Sequence, residues 1–204
     1  MGIANRATPL IFAALLTGLI ASVPAHSQEA KISEAAALDG WWTNTSLAAS
    51  LSGQMQKFFG GNVGHYLGNS GTIDAQFESV MSSEHDTNVD LKDGDALLVS
   101  HLKSDPTVRS SMLVGPDGKI KAAGLLHHHC MPSGDSAYTC DTGAHPTLTI
   151  FVPKYSADDR ATNMFVIARV REWAILSIRR ATDQAWKTKN LKIQVRDLDI
   201  GAGS

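Results

Sequence analysis

Three consecutive histidines followed by a cysteine, His127-His128-His129-Cys130, form the densest group of chemically active side chains in the sequence. On a β-strand the side chains alternate, so His127 and His129 would share one face. Two imidazoles at this spacing can hold one metal ion, and His145 lies near enough in the chain to supply a third ligand. The pattern therefore predicts, as one alternative, a zinc or copper site at His127, His129 and His145.

Cys130 and Cys140 are the two cysteines of the chain. The nine residues between them, MPSGDSAYT, do not fit the two-residue spacing of a thiol redox centre. They are rich in turn formers, and closing a loop of this length stabilises a fold by slightly less than about 3 kcal/mol. We therefore expect a structural disulfide, which would withdraw Cys130 from any metal site.

The familiar sequence motifs of catalysis are missing. The sequence contains no GxSxG nucleophile elbow, no phosphate-binding loop, no GxGxxG and no HExxH. The stretch DLKDGD (90–95) lacks the ligand spacing of a calcium loop and predicts a turn. No catalytic residue is predicted, and an envelope hydrolase without a recognisable motif stays open as an alternative.

Residues 1–27 have the organisation of a secretory signal peptide. Arg6 supplies positive charge, and the apolar run 10–23 has 14 residues, whereas a membrane-spanning helix needs roughly 20. Small residues allow cleavage after Ala25 or after Ser27. We expect a periplasmic or secreted protein with no stable membrane insertion after cleavage, and an oxidising compartment would let the cysteines pair.

Length and charge limit the remaining possibilities. About 177 residues follow the leader, which predicts one globular domain over 28–204 with a loosely ordered arm at 28–40. The chain has 18 basic and 20 acidic residues, so we do not expect a nucleic-acid binder. Residues 28–153 hold 7 basic and 14 acidic side chains, and 154–204 hold 10 and 6. An acidic stretch at 74–95 could steer a basic partner towards the protein.

Hydrophobic periodicity predicts helices first and strands afterwards. Leu47, Leu51, Met55 and Phe58 predict a helix over 45–59, and a weaker pattern predicts a second helix near 73–83. The turn residues 115–118 predict a hairpin. The predicted strands are 96–102, 110–114, 119–130, 147–152, 162–170 and 191–198, while 173–178 could be strand or helix.

The order of these elements predicts an α+β fold. N-terminal helices would pack on one antiparallel sheet of about five to seven strands, tied by one disulfide. In the last strand, Leu191, Ile193 and Val195 alternate with polar residues. This alternation predicts that the three apolar side chains face the core and that the other face contacts water.

A cysteine-closed loop between strands of a small exported α+β domain, over residues 120–166, resembles the bacterial periplasmic lysozyme inhibitors of the vertebrate-lysozyme type. Those proteins carry a short Cys-Lys-Pro-His-Asp-Cys loop. The loop here has nine residues and lacks the Pro-His pair. The resemblance implies an inhibitory or binding role.

The primary prediction is an exported, non-enzymatic binding protein with a protein or peptide partner in the cell envelope. A loop held at both ends loses little entropy on docking. One of the two tryptophans before the first helix could be an exposed anchor, although core packing of both is the favoured interpretation. The residues predicted to form the contact surface are Trp41, Trp42, His127, His129, Ser133, Asp135, Tyr138 and His145.

Overall fold

Three helices and nine strands make up the computed structural model, which describes residues 45–68, 71–86, 89–90, 94–133, 138–154, 160–180 and 188–198. The helices are α1 (Thr45–Phe59), α2 (Ile73–Met81) and α3 (Arg160–Arg180), and a 3-10 turn spans Thr188–Asn190. The strands are β1 (Val63–Gly64), β2 (Gly71–Thr72), β3 (Glu84–His85), β4 (Val89–Asp90), β5 (Ala96–Leu102), β6 (Asp105–Val114), β7 (Ile120–Pro132), β8 (Tyr138–Pro153) and β9 (Lys192–Leu198).

Seven of the strands form one sheet in the order β3-β5-β6-β7-β8-β9, with β4 also pairing with β5. The pairings are antiparallel except that between β8 and β9, which is parallel. A parallel pair needs a crossover connection, and here α3 lies between the two strands in the chain. The predicted α+β class, the N-terminal helices on a mainly antiparallel sheet and the disulfide are confirmed.

The two faces of the sheet bury separate hydrophobic cores. On one face α1 and α2 pack over alternate strand residues. The centroid of the Phe59 ring lies 5.2 Å from that of Phe77 and 5.3 Å from that of Phe151. On the other face α3 supplies Val166, Val170 and further apolar residues to the second core. The helix lies close to the sheet at Gly124, where an added Cβ would stand 2.4 Å from Cγ1 of Val170.

Residues 162–170, predicted as a strand, lie in helix α3, so that prediction is wrong. The buried residues Val166, Val170, Ala174 and Ile178 recur every four positions, which is a helical period. The local run of β-branched and aromatic residues suggested a strand, but the period over twenty residues decides for a helix. Residues 173–178, left open, belong to the same helix.

Strand β9 exists where it was predicted, but within it Ile193 and Val195 face outward and the alternating polar residues are covered. Leu191, just before the strand, is half-buried and packs against the α3 core as predicted. Ile193 and Val195 are 37% and 49% exposed, whereas Gln194 and Arg196 are half-buried. Helix α3 packs on β6, β7 and β8, so it does not cover the apolar side of β9. On the opposite side Arg196 contacts the segment around β1, which makes the polar face the covered one.

Candidate functional site

The disulfide Cys130–Cys140 ties the ends of β7 and β8 together, as predicted. The two cysteines are directly opposite in the ladder, so the bond joins positions that the sheet already brings together. On the inner side Sγ of Cys130 lies 3.6 Å from the carbonyl oxygen of Tyr66. Gly68, with a φ of 79°, passes close to the sulfur of Cys140. The segment 63–68 therefore lies against the disulfide.

Two polar side chains, the buried Gln76 and the half-buried Arg196, hold this segment in place. Nε2 of Gln76 donates to the carbonyl of Gly64 at 2.7 Å, and its Oε1 accepts from the backbone N–H of Tyr66 at 2.9 Å. From β9, Arg196 donates to the Tyr66 hydroxyl at 2.7 Å and to the carbonyl of Val63 at 2.9 Å. The glycine-rich sequence 62–71 reads as a simple connection, but its described part, residues 62–68, is held by α2, by β9 and by the disulfide.

The disulfide-tied end of β7 and β8, together with segment 63–68, carries apolar and aromatic groups that are exposed or half-buried. The rings of His65 and Tyr138 stack with centroids 4.3 Å apart and planes 17° apart. Val63 is 62% and Met131 59% exposed, and Ser133 is also exposed. We call Val63, His65, Met131, Ser133 and Tyr138 the disulfide-end surface. Ser133 and Tyr138 are among the contact residues predicted from the sequence, and the predicted loop between the cysteines also contains Met131. Val63 and His65 were missed, because their proximity depends on how segment 63–68 folds back.

His127, a predicted contact and metal residue, lies inside the protein. Its Nδ1 donates to the carbonyl of His128 at 2.6 Å, and its Nε2 accepts from the Thr149 hydroxyl at 2.9 Å. The Tyr66 ring meets it edge-on at 5.2 Å. Burial lowers the pKa of His127 to about 4, so the ring is neutral at physiological pH. Both ring nitrogens are used in internal hydrogen bonds, which counts against metal coordination at this residue.

His128 points to the opposite face and pairs with a carboxylate. Its Nε2 donates to Asp105 at 2.7 Å and lies 3.3 Å from the hydroxyl of Thr107, which itself bonds to Asp105. Burial would raise the pKa of Asp105, but the hydrogen bonds from Thr107 and His128 outweigh it and hold that pKa below its usual value. In a hydrolytic triad the carboxylate and the nucleophile bond to different ring nitrogens. Here the carboxylate of Asp105 and the hydroxyl of Thr107 both contact Nε2, which is the geometry of a structural pair.

The other two predicted metal ligands are not brought to His127 by the ladder. Pairing passes from His128–Pro146 directly to His129–Asp141, so residues 142–145 of β8 form an insertion. His129 lines a shallow 260 Å³ depression with Asp141 and Lys192. The side chain of His145 is outside the described part of the chain. Among the described residues, no three His, Cys, Asp or Glu side chains are grouped to hold a metal ion.

A serine–histidine contact joins β3 and β5 on the face of the sheet that α1 and α2 cover. Nδ1 of His85 is 2.9 Å from the hydroxyl of Ser100, which donates to the carbonyl of Met81 at 3.1 Å. Burial lowers the pKa of His85, and the nearby His101 adds to the effect. Ser100 is fully buried, so a substrate could not reach its hydroxyl. This contact therefore does not revive the hydrolase alternative.

Three of the seven carboxylates of the acidic stretch 74–95 contact a basic side chain within the described part of the fold. Asp86 pairs with Arg109 at 2.9 Å, Asp95 with Lys121 at 2.6 Å, and Glu84 lies 3.1 Å from His101. Charges paired in this way contribute little to a long-range field. Steering of a basic partner by this stretch therefore gains no support from the structure.

The remaining predicted residues fall outside what the structure describes. Trp41, Trp42 and Asp135 belong to this group, as do the leader and the arm before α1. In the described part of the chain, no helix has the length and apolar character required to cross a membrane. The disulfide is of the kind that forms in oxidising compartments and is compatible with an extracellular protein.

Comparison with known proteins adds no relative to this description. No family model, no curated protein and no solved structure matches the chain.

Proposed function

We propose that this protein is exported and acts without catalysis, by binding a protein or peptide partner in the cell envelope through the disulfide-end surface. The observation that carries the proposal is the stacked His65–Tyr138 pair at the disulfide-tied end of β7 and β8, where Met131 is exposed on the opposite face of the same two strands. Aromatic residues and methionine are enriched in protein–protein contacts, where they bury a large area. All of these groups lie at the disulfide-tied end of β7 and β8.

Preorganisation gives this surface its value for binding. Association costs conformational entropy whenever side chains or loops must be ordered. Here the disulfide closes one part of the surface, and Gln76 and Arg196 hold segment 63–68 through four hydrogen bonds. A partner would meet groups whose backbone is already ordered, so more of the contact energy would remain as affinity.

Export is the second part of the proposal and has its own test. The positive residue, the apolar run and the small residues before position 28 support it, as does a disulfide that needs an oxidising compartment. Intact-mass measurement on protein recovered from the native host should find a chain that begins at His26 or Gln28. A chain that retains Met1 would contradict export.

Affinity capture tests the binding function. The mature protein, with its disulfide intact, serves as bait for native envelope extract, and any stoichiometric partner is purified for titration. Met131→Ala and Tyr138→Ala should each weaken the complex by about tenfold or more, because they remove large groups from the proposed centre. The matched control is Met164→Ala, which removes the same side chain from an α3 position that is 68% exposed.

Three outcomes would contradict the proposal. The first is equal weakening by Met131→Ala and Met164→Ala, which would place the contact elsewhere. The second is a native envelope extract that yields no stoichiometric partner. The third is stable turnover of an envelope substrate by the purified protein, abolished by one point substitution, which would make the protein an enzyme.

A further inference from the structure

One helix cannot cover the whole face of this sheet, and the uncovered side next to α3 forms a groove. A helix is about 10 Å wide, and strands lie about 4.8 Å apart. Helix α3 packs on β6, β7 and β8, so the next strand in the sheet, β5, lies beside the helix and not beneath it. The space between α3 and β5 has a volume of about 530 Å³, which is within the usual range of sites for small molecules. We call it the arginine groove.

The floor of the arginine groove is apolar. Leu97 and Val99 of β5 line it from the sheet, and Trp173 and Leu176 line it from α3. Leu97, Val99 and Trp173 belong to the core of this face, while Leu176 is 40% exposed at the rim. An apolar chain lying on this floor would lose contact with water along much of its length.

The rim of the groove is positively charged. Arg109, Arg169 and Arg180 line it together with two carboxylates, those of Asp86 and Glu172. Arg109 is neutralised by Asp86 at 2.9 Å. The remaining groups are two arginines and one glutamate, and the contact of Arg169 with that glutamate is long, at 3.9 Å. The rim therefore carries about one uncompensated positive charge.

The two arginines differ in how they are held. Arg169 lies over the Phe165 ring, with Cζ 4.8 Å from the ring centroid, and its Nε is buried without a hydrogen-bond partner among the described residues. Arg180 ends α3 and is exposed. A buried donor without an acceptor costs free energy that a bound anion would recover. Guanidinium groups are also well suited to carboxylates and phosphates, which they can bind through two parallel hydrogen bonds.

We propose that the arginine groove binds a single-chain amphipathic anion. Its apolar chain would lie over Leu97, Val99 and Trp173, and its carboxylate or phosphate head would meet Arg169. Arg180 lies about 16 Å further along α3 and would add positive potential at the other end of the groove. This site lies on the opposite face of the sheet from Gln76 and His127, so it adds a second binding activity to the one proposed above. The groove would select its ligand by both charge and shape. An uncharged chain lacks the anionic head group, and a small anion lacks the apolar chain.

Calorimetric titration tests the site with defined probes. Dodecanoate and dodecyl phosphate, below the concentrations at which they aggregate, should each bind as one molecule per chain. Dodecanol, acetate and dodecyltrimethylammonium should bind at least about tenfold more weakly, because each lacks one of the two matching features. Tighter binding of one probe identifies the head group, carboxylate or phosphate ester, that the groove prefers.

Matched variants separate the groove from the general charge of α3. The double variant Arg169→Gln/Arg180→Gln should weaken dodecanoate binding by about tenfold, since it removes both arginines that α3 contributes to the rim. The control is Arg171→Gln/Arg179→Gln, which removes the same charge from the same helix at positions that do not line the groove; they line a neighbouring depression that shares Glu172 and Leu176 with it. The control should bind as the parent does. Glu172→Gln should tighten binding by about twofold or more, because it removes the competing carboxylate.

Several results would overturn the proposal. Equal losses in the two double variants would show attraction to the charge of the helix, not to the groove. Binding of dodecanol as tight as that of dodecanoate would remove the role of the arginines. Binding only to phosphatidylglycerol vesicles, with none to the single-chain probes, would replace the groove by docking on a membrane surface. None of these results depends on the disulfide-end surface, because Met131→Ala should leave probe binding unchanged.

Discussion

The core beneath α1 and α2 and the arginine groove beside α3 use polar groups in opposite ways. On the face of α1 and α2, polar side chains are buried within the core and bond to one another or to the backbone, as Gln76, His127 and Thr149 do. On the face of α3, the floor of the groove is apolar and its charged groups lie at the rim. Buried hydrogen bonds have strict geometry, so they fix a backbone in one arrangement. Long charged side chains at a rim can move, which suits a small ligand that enters and leaves.

Replacing Gln76 should produce the largest effect and should act on the first face alone. Gln76→Ala would leave the N–H of Tyr66 and the carbonyl of Gly64 without their partners. We expect a loss of about 4 kcal/mol in the free energy of unfolding, because each buried orphan group costs about 1–3 kcal/mol. Chemical denaturation measures it. The exposed Gln56→Ala is the control and should change stability by less than about 0.5 kcal/mol.

Acid should destabilise the first face through His127. The native ring stays neutral down to about pH 4, whereas the unfolded chain takes up a proton near pH 6.5. The unfolded state therefore binds more protons between these values, and stability falls as the pH is lowered through this window, by about 3 kcal/mol in all. Denaturation curves from pH 7 to pH 4 would show the slope.

Matched variants decide whether His127 causes that slope. His127→Gln should flatten it, and His129→Gln should leave it in place. A slope that persists unchanged in His127→Gln would mean that other groups, such as His85, whose pKa burial also lowers, dominate the titration. Dodecanoate affinity at pH 7 should not differ between the two variants, because both residues lie away from the arginine groove.

Removing the disulfide should have a somewhat smaller effect. Cys130→Ser/Cys140→Ser would cost slightly less than about 3 kcal/mol in the loop-closure model, since the closed loop is short. It should also weaken any partner bound at the disulfide-end surface, and it should leave probe binding in the arginine groove intact. Thiol labelling of the unfolded, unreduced parent should find no free cysteine. Equal damage to both binding activities would show that the two faces are not independent.

The smallest effect is expected where the sequence pattern and the structure disagree. Val195→Thr should change stability by less than about 0.5 kcal/mol, since this side chain is 49% exposed. Val152→Thr, which introduces the same hydroxyl at a position that is 1% exposed, should cost about 1–3 kcal/mol. Similar losses at both positions would mean that β9 buries its apolar face after all.

Short-range patterns predicted the elements that depend on short-range physics. The helix over 45–59 and the strand over 96–102 have the predicted bounds, and the hairpin at 115–118 joins β6 to β7. Apolar spacing and turn residues determine such elements locally. The disulfide was predictable because its loop is short. Of the proposed surface, Ser133 directly follows β7 and Tyr138 begins β8, so both lie in that loop, and their contact role stays a prediction.

Only the tertiary structure decided what each side chain does. The sequence placed three histidines in a row, but the partners that separate their roles come from distant positions: Thr149 for His127 and Asp105 for His128. Helix α3 was mistaken for a strand because its local composition favours β structure, while its burial against the sheet follows a helical period. The covered face of β9 was predicted wrongly for a related reason, since alternation shows that two faces differ but not which one a neighbouring element covers. Contacts between residues far apart in the chain carry that information, and no local pattern contains it.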